Sequence, residues 1–161
     1  MVLLVLRLLL VFIQNNMKEN KELLLRYLSM ALPYKTMCDM GLEHPMQLQR
    51  IFIDERDGIL LDFYTNKNVY QVYLSEVKPY LRPLSSITEE ERLEISNLIK
   101  HDVLKNPFGK INPKGMDNLL HSVIVSSSSL IKWLLEKHFD FMELASKDLA
   151  IEITKENNPY K

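Results

Sequence analysis

The chain lacks the residues that give small proteins a covalent framework. It has one cysteine, Cys38, among 161 residues, so no internal disulfide can form; we interpret Cys38 as a buried structural thiol and expect a cytoplasmic protein. Its 20 basic and 21 acidic residues leave a formal net charge of −1, which provides no overall attraction to nucleic acid or anionic lipid. The hydrophobic content of 47% is typical of a globular protein.

The sequence also lacks the short motifs of common catalytic and metal sites. Its four histidines stand far apart, with no His-x-x-x-His pair, and a single cysteine excludes Cys-x-x-Cys. Gly109-Lys110 is not a phosphate-binding loop, because Ile111 follows where Ser or Thr is required. No Gly-x-Ser-x-Gly sequence exposes a nucleophilic serine. We therefore expect no metal, no cofactor and no catalytic residue, and the sequence favours a non-enzymatic protein.

An apolar run opens the chain. Residues 1–13 contain one charge, Arg7, and are too few to cross a bilayer, which takes about 20 apolar residues. Arg7 lies inside the run and no small-residue cleavage site follows, which disfavours a secretory signal. The composition changes abruptly at Met17, so we interpret residues 1–16 as an extension from a misassigned start. The alternative is a membrane tether formed by residues 1–13.

Residues 17–161 are predicted to form a single globular α+β domain. Apolar residues spaced along one helical face predict a first helix that ends before Pro33. The next segments predict an antiparallel meander of three or four short strands, with a hairpin turn at Asp57-Gly58. The predicted strands cover residues 37–41, 48–53, 59–64 and 69–74.

A proline-rich crossing then leads into a helical C-terminal half. Pro79 and Pro83 bias their predecessors toward extended geometry, and Thr88 with Glu91 forms a capping box for the helix that follows. Trp133, on a later helix, is expected to be an anchor of the protein core. The predicted elements of this half are a helix at 89–104, a loop at 106–115, an undecided strand or helix at 119–125, a helix capped by serines at 126–129, a short helix at 139–146 and an apolar tail at 149–153 that docks back.

Four motifs carry a resemblance to a family. They are Leu32-Pro33-Tyr34, the segment from Val77-Lys78-Pro79-Tyr80-Leu81-Arg82-Pro83 to Thr88-Glu89-Glu90-Glu91, His138-Phe139-Asp140-Phe141, and Leu149-Ala150-Ile151-Glu152. Over residues 17–161 the chain resembles uncharacterised small proteins that are frequent in anaerobic gut bacteria and their phages or integrated elements. The chain has Phe141-Met142 where that family has Tyr-Arg, and Asp148 where it has Gly. The resemblance implies this architecture and a phage or mobile-element origin, and it implies no activity.

The predicted function is a non-enzymatic protein-interaction module that contacts another protein through its sheet and the loop at 107–115. The predicted contact residues are Tyr70, Tyr73, Tyr80 and Arg82, because tyrosine and arginine are common in interface hot spots. Strand alternation places Tyr70 with Val72 on one face and Tyr73 on the other, so the pattern does not decide which tyrosines share an exposed patch. The sequence does not predict an oligomeric state.

Two alternative functions rest on residues other than these contact residues, and the first is nucleic-acid binding. Lys105, Lys110 and Lys114 flank Phe108, and they could contact phosphates while Phe108 stacks on an unpaired base, as in a nucleic-acid-binding accessory protein.

His138 and Asp140 form the other polar pair, which would serve an undescribed hydrolase if both side chains lined one pocket. The simpler interpretation is that a charged His138 favours a helix C-terminus and Asp140 caps the following helix.

Overall fold

A computed structural model describes the backbone of residues 2–54, 58–65, 68–105 and 128–161, and the side chains of residues 14–54, 58–65, 68–99 and 128–161. The chain divides into two compact units, Met1–Leu81 with Met142–Lys161, and Arg82–Phe141. Helices and a mostly antiparallel sheet confirm the α+β class. The single domain stays a prediction, and the segments at 106–115 and 119–125 lie outside the described residues.

The first unit begins with helix α1, Val2–Ala31, which continues without a break past Met17. Between residues 14 and 31, where the side chains of α1 are described, the buried ones recur at helical spacing on one face: Leu24, Tyr27, Leu28 and Ala31. A 3-10 turn at Leu32–Tyr34 follows, so the helix ends before Pro33 as predicted. Among the described helices, none is long and apolar enough to cross a membrane.

The described residues of this unit form a six-stranded sheet. Its strands are β1 Met37–Asp39, β2 Met46–Asp54, β3 Gly58–Tyr64, β4 Val69–Tyr73, β5 Lys78–Leu81 and β6 Ile151–Glu152, in the spatial order β4-β3-β2-β1-β5-β6. The first four strands are an antiparallel meander, which confirms that prediction. Strand β5 pairs antiparallel with β1 and parallel with β6.

Strand β5 corrects the interpretation of the proline-rich segment as a plain crossing. Pro79 lies opposite Cys38 of β1, although a proline usually argues against a strand because it has no N–H to donate. Beyond β6, the Tyr160 hydroxyl accepts a bond from the Met37 N–H at 2.9 Å and donates to the Tyr80 carbonyl at 3.2 Å. The apolar tail therefore docks against β5 as a strand, and Tyr160 bridges β1 and β5.

The short helix predicted at 139–146 is wrong. Within that part of the chain only Ala145–Lys147 is helical, as a 3-10 turn. Glu143 has a left-handed φ of 57°, which an α-helix does not accommodate. Asp148 ends the 3-10 turn in the same left-handed conformation, which aspartate tolerates better than most residues.

The described part of the second unit contains two α-helices, α2 Glu89–Lys105 and α3 Ser128–Glu136. The predicted capping box is present, because the Thr88 N–H donates to the Glu91 carboxylate at 3.0 Å and the Glu91 N–H donates to the Thr88 hydroxyl at 3.2 Å. Trp133 is buried in α3 and stacks on Phe139 with 5.6 Å between ring centroids. The prediction of Trp133 as a core anchor is confirmed.

Candidate functional site

The clearest candidate surface is one face of the three-stranded part of the sheet formed by β2, β3 and β4. Strand register places Asp62 between Arg50 and Gln71, and Leu60 between Phe52 and Tyr73. Because alternate side chains of a strand share a face, these residues share one side of the sheet. The outer face is defined here as Arg50, Phe52, Leu60, Asp62, Tyr64, Val69, Gln71 and Tyr73.

A β-bulge makes this face possible. The register shifts between Leu48 and Arg50. Strand alternation would place these two side chains on the same face, and the bulge places them on opposite faces. Leu48 is buried opposite Phe63, whereas Arg50 lies on the outer face opposite Asp62. The opposite face of β3 carries the fully buried Leu61 and Phe63 and is the core side of the sheet.

A buried carboxylate lies at the centre of the outer face. Asp62 accepts bonds from Arg50 Nε at 2.8 Å, from the Tyr64 hydroxyl at 3.2 Å and from Gln71 Nε2 at 3.1 Å, and Arg50 Nη2 pairs with it as well. Burial acts to raise the pKa of Asp62, but the bonds from Gln71, Arg50 and Tyr64 outweigh it and hold the pKa below its usual value. Asp62 is therefore ionised and holds the bonded side chains in place. Its lowered pKa makes it a poor general base.

Arg50 is the charged side chain that Asp62 holds at the surface. Its side chain is 61% exposed, although Nε and Nη2 both face Asp62. The guanidinium carbon also lies 5.3 Å from the centre of the Phe52 ring, within the range of a cation–π contact. The guanidinium is thus held in place by Asp62 and Phe52.

Apolar side chains surround this charged pair. Tyr64 is 43% exposed, Val69 62% and Tyr73 46%, all on the outer face. Leu60 lies between Phe52 and Tyr73 and is itself buried. The outer face is therefore an apolar and aromatic patch around one neutralised ion pair, a composition typical of protein contact surfaces.

The four predicted contact residues do not share this surface. Tyr73 lies on the outer face, and Tyr70 is half-buried on the core side, as alternation predicts. Tyr80 is half-buried in β5, where its carbonyl accepts from Tyr160. Arg82 belongs to the second unit. Their contacts with a partner stay predictions, and of the four only Tyr73 lies on the candidate surface.

Arg82 is committed to contacts inside the second unit. It pairs with both carboxylate oxygens of Glu91, at 2.8 and 3.0 Å, and lies 4.2 Å from the centre of the Phe139 ring. Its N–H also donates to the His138 carbonyl, and its carbonyl accepts from the Asp140 N–H, both at 2.8 Å. These bonds indicate a structural role.

The interpretation of His138 as a charged helix end does not hold. Burial, and then the positive charge of Arg82, lower the pKa of His138 to about 4, so the imidazole is neutral at pH 7. His138 has a left-handed φ of 58° after α3. Asp140 is buried, and no helix begins directly after it, so the predicted cap is also wrong.

The remaining predicted sites give no further candidate. Lys105 ends α2 with its side chain outside the described set, and Phe108, Lys110 and Lys114 lie outside it entirely, so the nucleic-acid interpretation stays a prediction. Cys38 is buried, which raises the pKa of its thiol, as expected for an inert structural cysteine. In the part of the chain that is described, no group of three or more His, Cys, Asp or Glu residues could hold a metal ion.

Of the outer face, the predicted contact residues include Tyr73 but not Arg50, Phe52 or Asp62. One available signal was the acidic Asp62 in the middle of the apolar run from Ile59 to Tyr64, at a position aligned with Leu60 and Tyr64 by strand alternation. No protein-family model, curated protein or solved structure matches the chain. The resemblance to small proteins of gut bacteria and their phages therefore stays a prediction.

Proposed function

We propose that the protein is a non-enzymatic interaction module that binds another protein through the outer face of β2, β3 and β4. One observation carries the proposal: exposed Tyr64, Val69 and Tyr73 surround an arginine that is already oriented by a buried carboxylate. Tyrosine and arginine dominate interface hot spots, and an arginine held in place loses little side-chain freedom on binding.

The charge of the outer face favours a protein partner over nucleic acid. Arg50 is the only basic residue of this face, and Asp62 neutralises it. Binding to a phosphate backbone takes several uncompensated cations, whereas the aromatic groups alone would supply only base stacking. A protein partner needs an apolar centre and a few directed hydrogen bonds, which the face provides.

We further propose a cytoplasmic setting and a phage or mobile-element origin. The buried, single Cys38 supports the first proposal, because a protein that forms no disulfide needs no oxidising compartment. The resemblance over residues 17–161 supports the second. The lysine-rich loop as a nucleic-acid site and residues 1–13 as a membrane tether are the alternatives.

Site-specific photocrosslinking in the host cell tests the proposed surface. A photoreactive phenylalanine analogue would replace Tyr64, which lies on the outer face, and in a matched variant Leu93, which is 64% exposed on α2 in the other unit. We expect a discrete crosslinked protein from position 64 and none from position 93. Adding Arg50→Ala should reduce the yield at position 64 severalfold.

Equal crosslinking at the two positions, or none at position 64 in a folded protein, would exclude the outer face as the binding surface. Crosslinking to nucleic acid at position 64 would exclude a protein partner.

A further inference from the structure

Among the strands that the structure describes, β4 is an edge of the sheet, because it stands at the end of the strand order and pairs with β3. Edge strands offer backbone donors and acceptors to a further strand, and natural proteins protect them with prolines, charges or bulges. Strand β4 has the sequence Val-Tyr-Gln-Val-Tyr, without proline or charge, and its pairing with β3 has no bulge.

Two hydrogen bonds show which backbone groups of β4 face outward. Thr65 N–H donates to the Asn68 carbonyl at 2.8 Å, in register with the β3–β4 ladder, and the Tyr73 N–H donates to the Glu76 carboxylate at 3.0 Å. Bonded and non-bonded pairs alternate in an antiparallel ladder. Tyr70 and Val72 therefore bond to β3, whereas the backbone groups of Val69, Gln71 and Tyr73 point away from it.

The side chains of β4 are self-complementary about Gln71. If a second β4 pairs antiparallel with the first at Gln71, Val69 of each copy lies opposite Tyr73 of the other, and Tyr70 lies opposite Val72. Each of these cross-strand pairs joins an aromatic to a β-branched residue, a favourable combination on either face of a sheet. No like charges oppose each other.

From this geometry we infer that β4 pairs antiparallel with β4 of a second copy of this chain, which joins the two sheets around a two-fold axis at Gln71. The pairing covers Val69 and Tyr73, which are 62% and 46% exposed in one chain. It uses the backbone edge of the sheet and, of the outer face, the side chains of β4, whereas the proposed function also uses Tyr64 on β3 and Arg50 on β2. In a two-fold contact the β4 edges of the two copies pair with each other, so the contact closes and does not extend into a filament.

Glu76 limits this dimer. Its carboxylate occupies the Tyr73 N–H, one of the outward donors that the second copy would otherwise use. A five-residue strand also buries less area than a standard stable interface. The dimer is therefore weak and concentration-dependent, and it is best detected by trapping.

Thiol crosslinking tests both the dimer and its register. A Val69→Cys chain is mixed with a Tyr73→Cys chain and treated with a bifunctional thiol reagent that spans about one interstrand spacing, roughly 5 Å. Position 69 of one copy lies beside position 73 of the other, whereas the two positions 69 lie about 14 Å apart along the strands. Cys38 is buried and stays unreactive.

We expect a crosslinked dimer from the mixture and none from Val69→Cys alone. Sedimentation equilibrium of the full chain should show a monomer–dimer equilibrium, and Val69→Pro should raise its dissociation constant about tenfold, since two symmetry-related N–H bonds are lost. Val69→Thr is the matched control, because it keeps the N–H and the β-branched shape.

A folded chain that remains monomeric and untrapped overturns the inference, as does a dimer crosslinked equally well by Val69→Cys alone. A monomer whose β4 edge binds a strand of a different protein also overturns it. Failure here leaves crosslinking at position 64 unaffected, so the test separates the edge from the outer face.

Discussion

Each unit of the protein contains an arginine paired with a buried carboxylate and placed over an aromatic ring, yet the two pairs differ in what they leave exposed. Arg50 pairs with Asp62 beside Phe52 and remains 61% exposed, whereas Arg82 pairs with Glu91 over Phe139 and is 26% exposed. In the first pair the carboxylate orients an arginine at the surface. The second pair holds a helix start and the adjacent chain together.

The difference follows from where the carboxylates lie. Asp62 is in the middle of a strand, so its partners come from neighbouring strands and cover it from the solvent side. Glu91 is the third residue of α2 and completes the capping box with Thr88, so Arg82 is drawn toward the helix start. The same chemical pair thus joins a helix start to the adjacent chain in one unit and orients an exposed arginine in the other.

The largest expected effect is from Arg82→Ala, which breaks the more enclosed pair. We expect the free energy of unfolding to fall by about 3 kcal/mol, because Glu91 would lose its bidentate partner while it remains largely buried. Urea denaturation measures the change. Arg92→Ala is the control, since its pair with the exposed Glu89 spans 3.6 Å and contributes little. Equal losses in the two variants would contradict the structural role of Arg82.

Asp62→Asn should lower the free energy of unfolding by about 2 kcal/mol, since the amide cannot accept from Arg50, Tyr64 and Gln71 as the carboxylate does. Asp148→Asn is the matched substitution: Asp148 is 89% exposed in its pair with Lys78, and asparagine suits its left-handed φ. Chemical denaturation should show almost no change for the control. A similar loss of unfolding free energy in both variants would contradict the role of Asp62 as a buried carboxylate that holds its neighbouring side chains in place.

Arg50→Ala should lower the free energy of unfolding much less than Arg82→Ala does, because removal of an exposed arginine lets water reach Asp62. Its main effect should instead be the reduced crosslinking at position 64. A stability loss as large as that of Arg82→Ala, measured by the same denaturation, would remove the proposed distinction between the two arginines.

The dependence of folding stability on pH should also differ between the two units, because His138 and Asp62 act over different pH ranges. The effect is gradual and smallest near neutral pH. The pKa of His138 falls from 6.5 to about 4 through burial and then the charge of Arg82, so the unfolded chain takes up a proton before the folded one. This stability is complete above pH 6.5 and is lost as the pH falls toward about 4. Asp62, whose pKa is also lowered, contributes a loss only at lower pH, as it becomes protonated in the folded state.

NMR titration of His138 measures its pKa directly, and Arg82→Gln should raise that pKa. His138→Asn should remove the decline in stability between pH 6.5 and about 4, since asparagine does not titrate and tolerates a φ of 58°. A pKa near 6.5 in the folded protein would contradict the burial of this side chain.

Several parts of the fold could be predicted from local sequence. Pro33 marks the end of α1, Asp57-Gly58 marks the β2–β3 turn, and Thr88 with Glu91 marks the start of α2. Each signal works within a few residues, where backbone geometry and capping bonds decide the outcome. The predicted helix at 139–146 failed because no local pattern announced the left-handed Glu143.

The candidate site depended more on partners that are distant in sequence. Tyr73 was predicted as a contact residue by type, but its place with Tyr64 on one exposed face follows from the pairing of β2, β3 and β4. Arg50 meets Asp62 only because of the bulge after Leu48, and no spacing rule connects residues 12 positions apart across a hairpin.

The sequence by itself determined the α+β class, the end of the first helix, the antiparallel meander and the start of α2, because periodicity, turn residues and caps act locally. Tertiary structure alone decided that the segment around Pro79 becomes strand β5, that Asp62 is buried yet ionised, and that Arg50 rather than Arg82 is exposed. These outcomes depend on strand register and on the donors that surround each charge, which form only when distant segments pair.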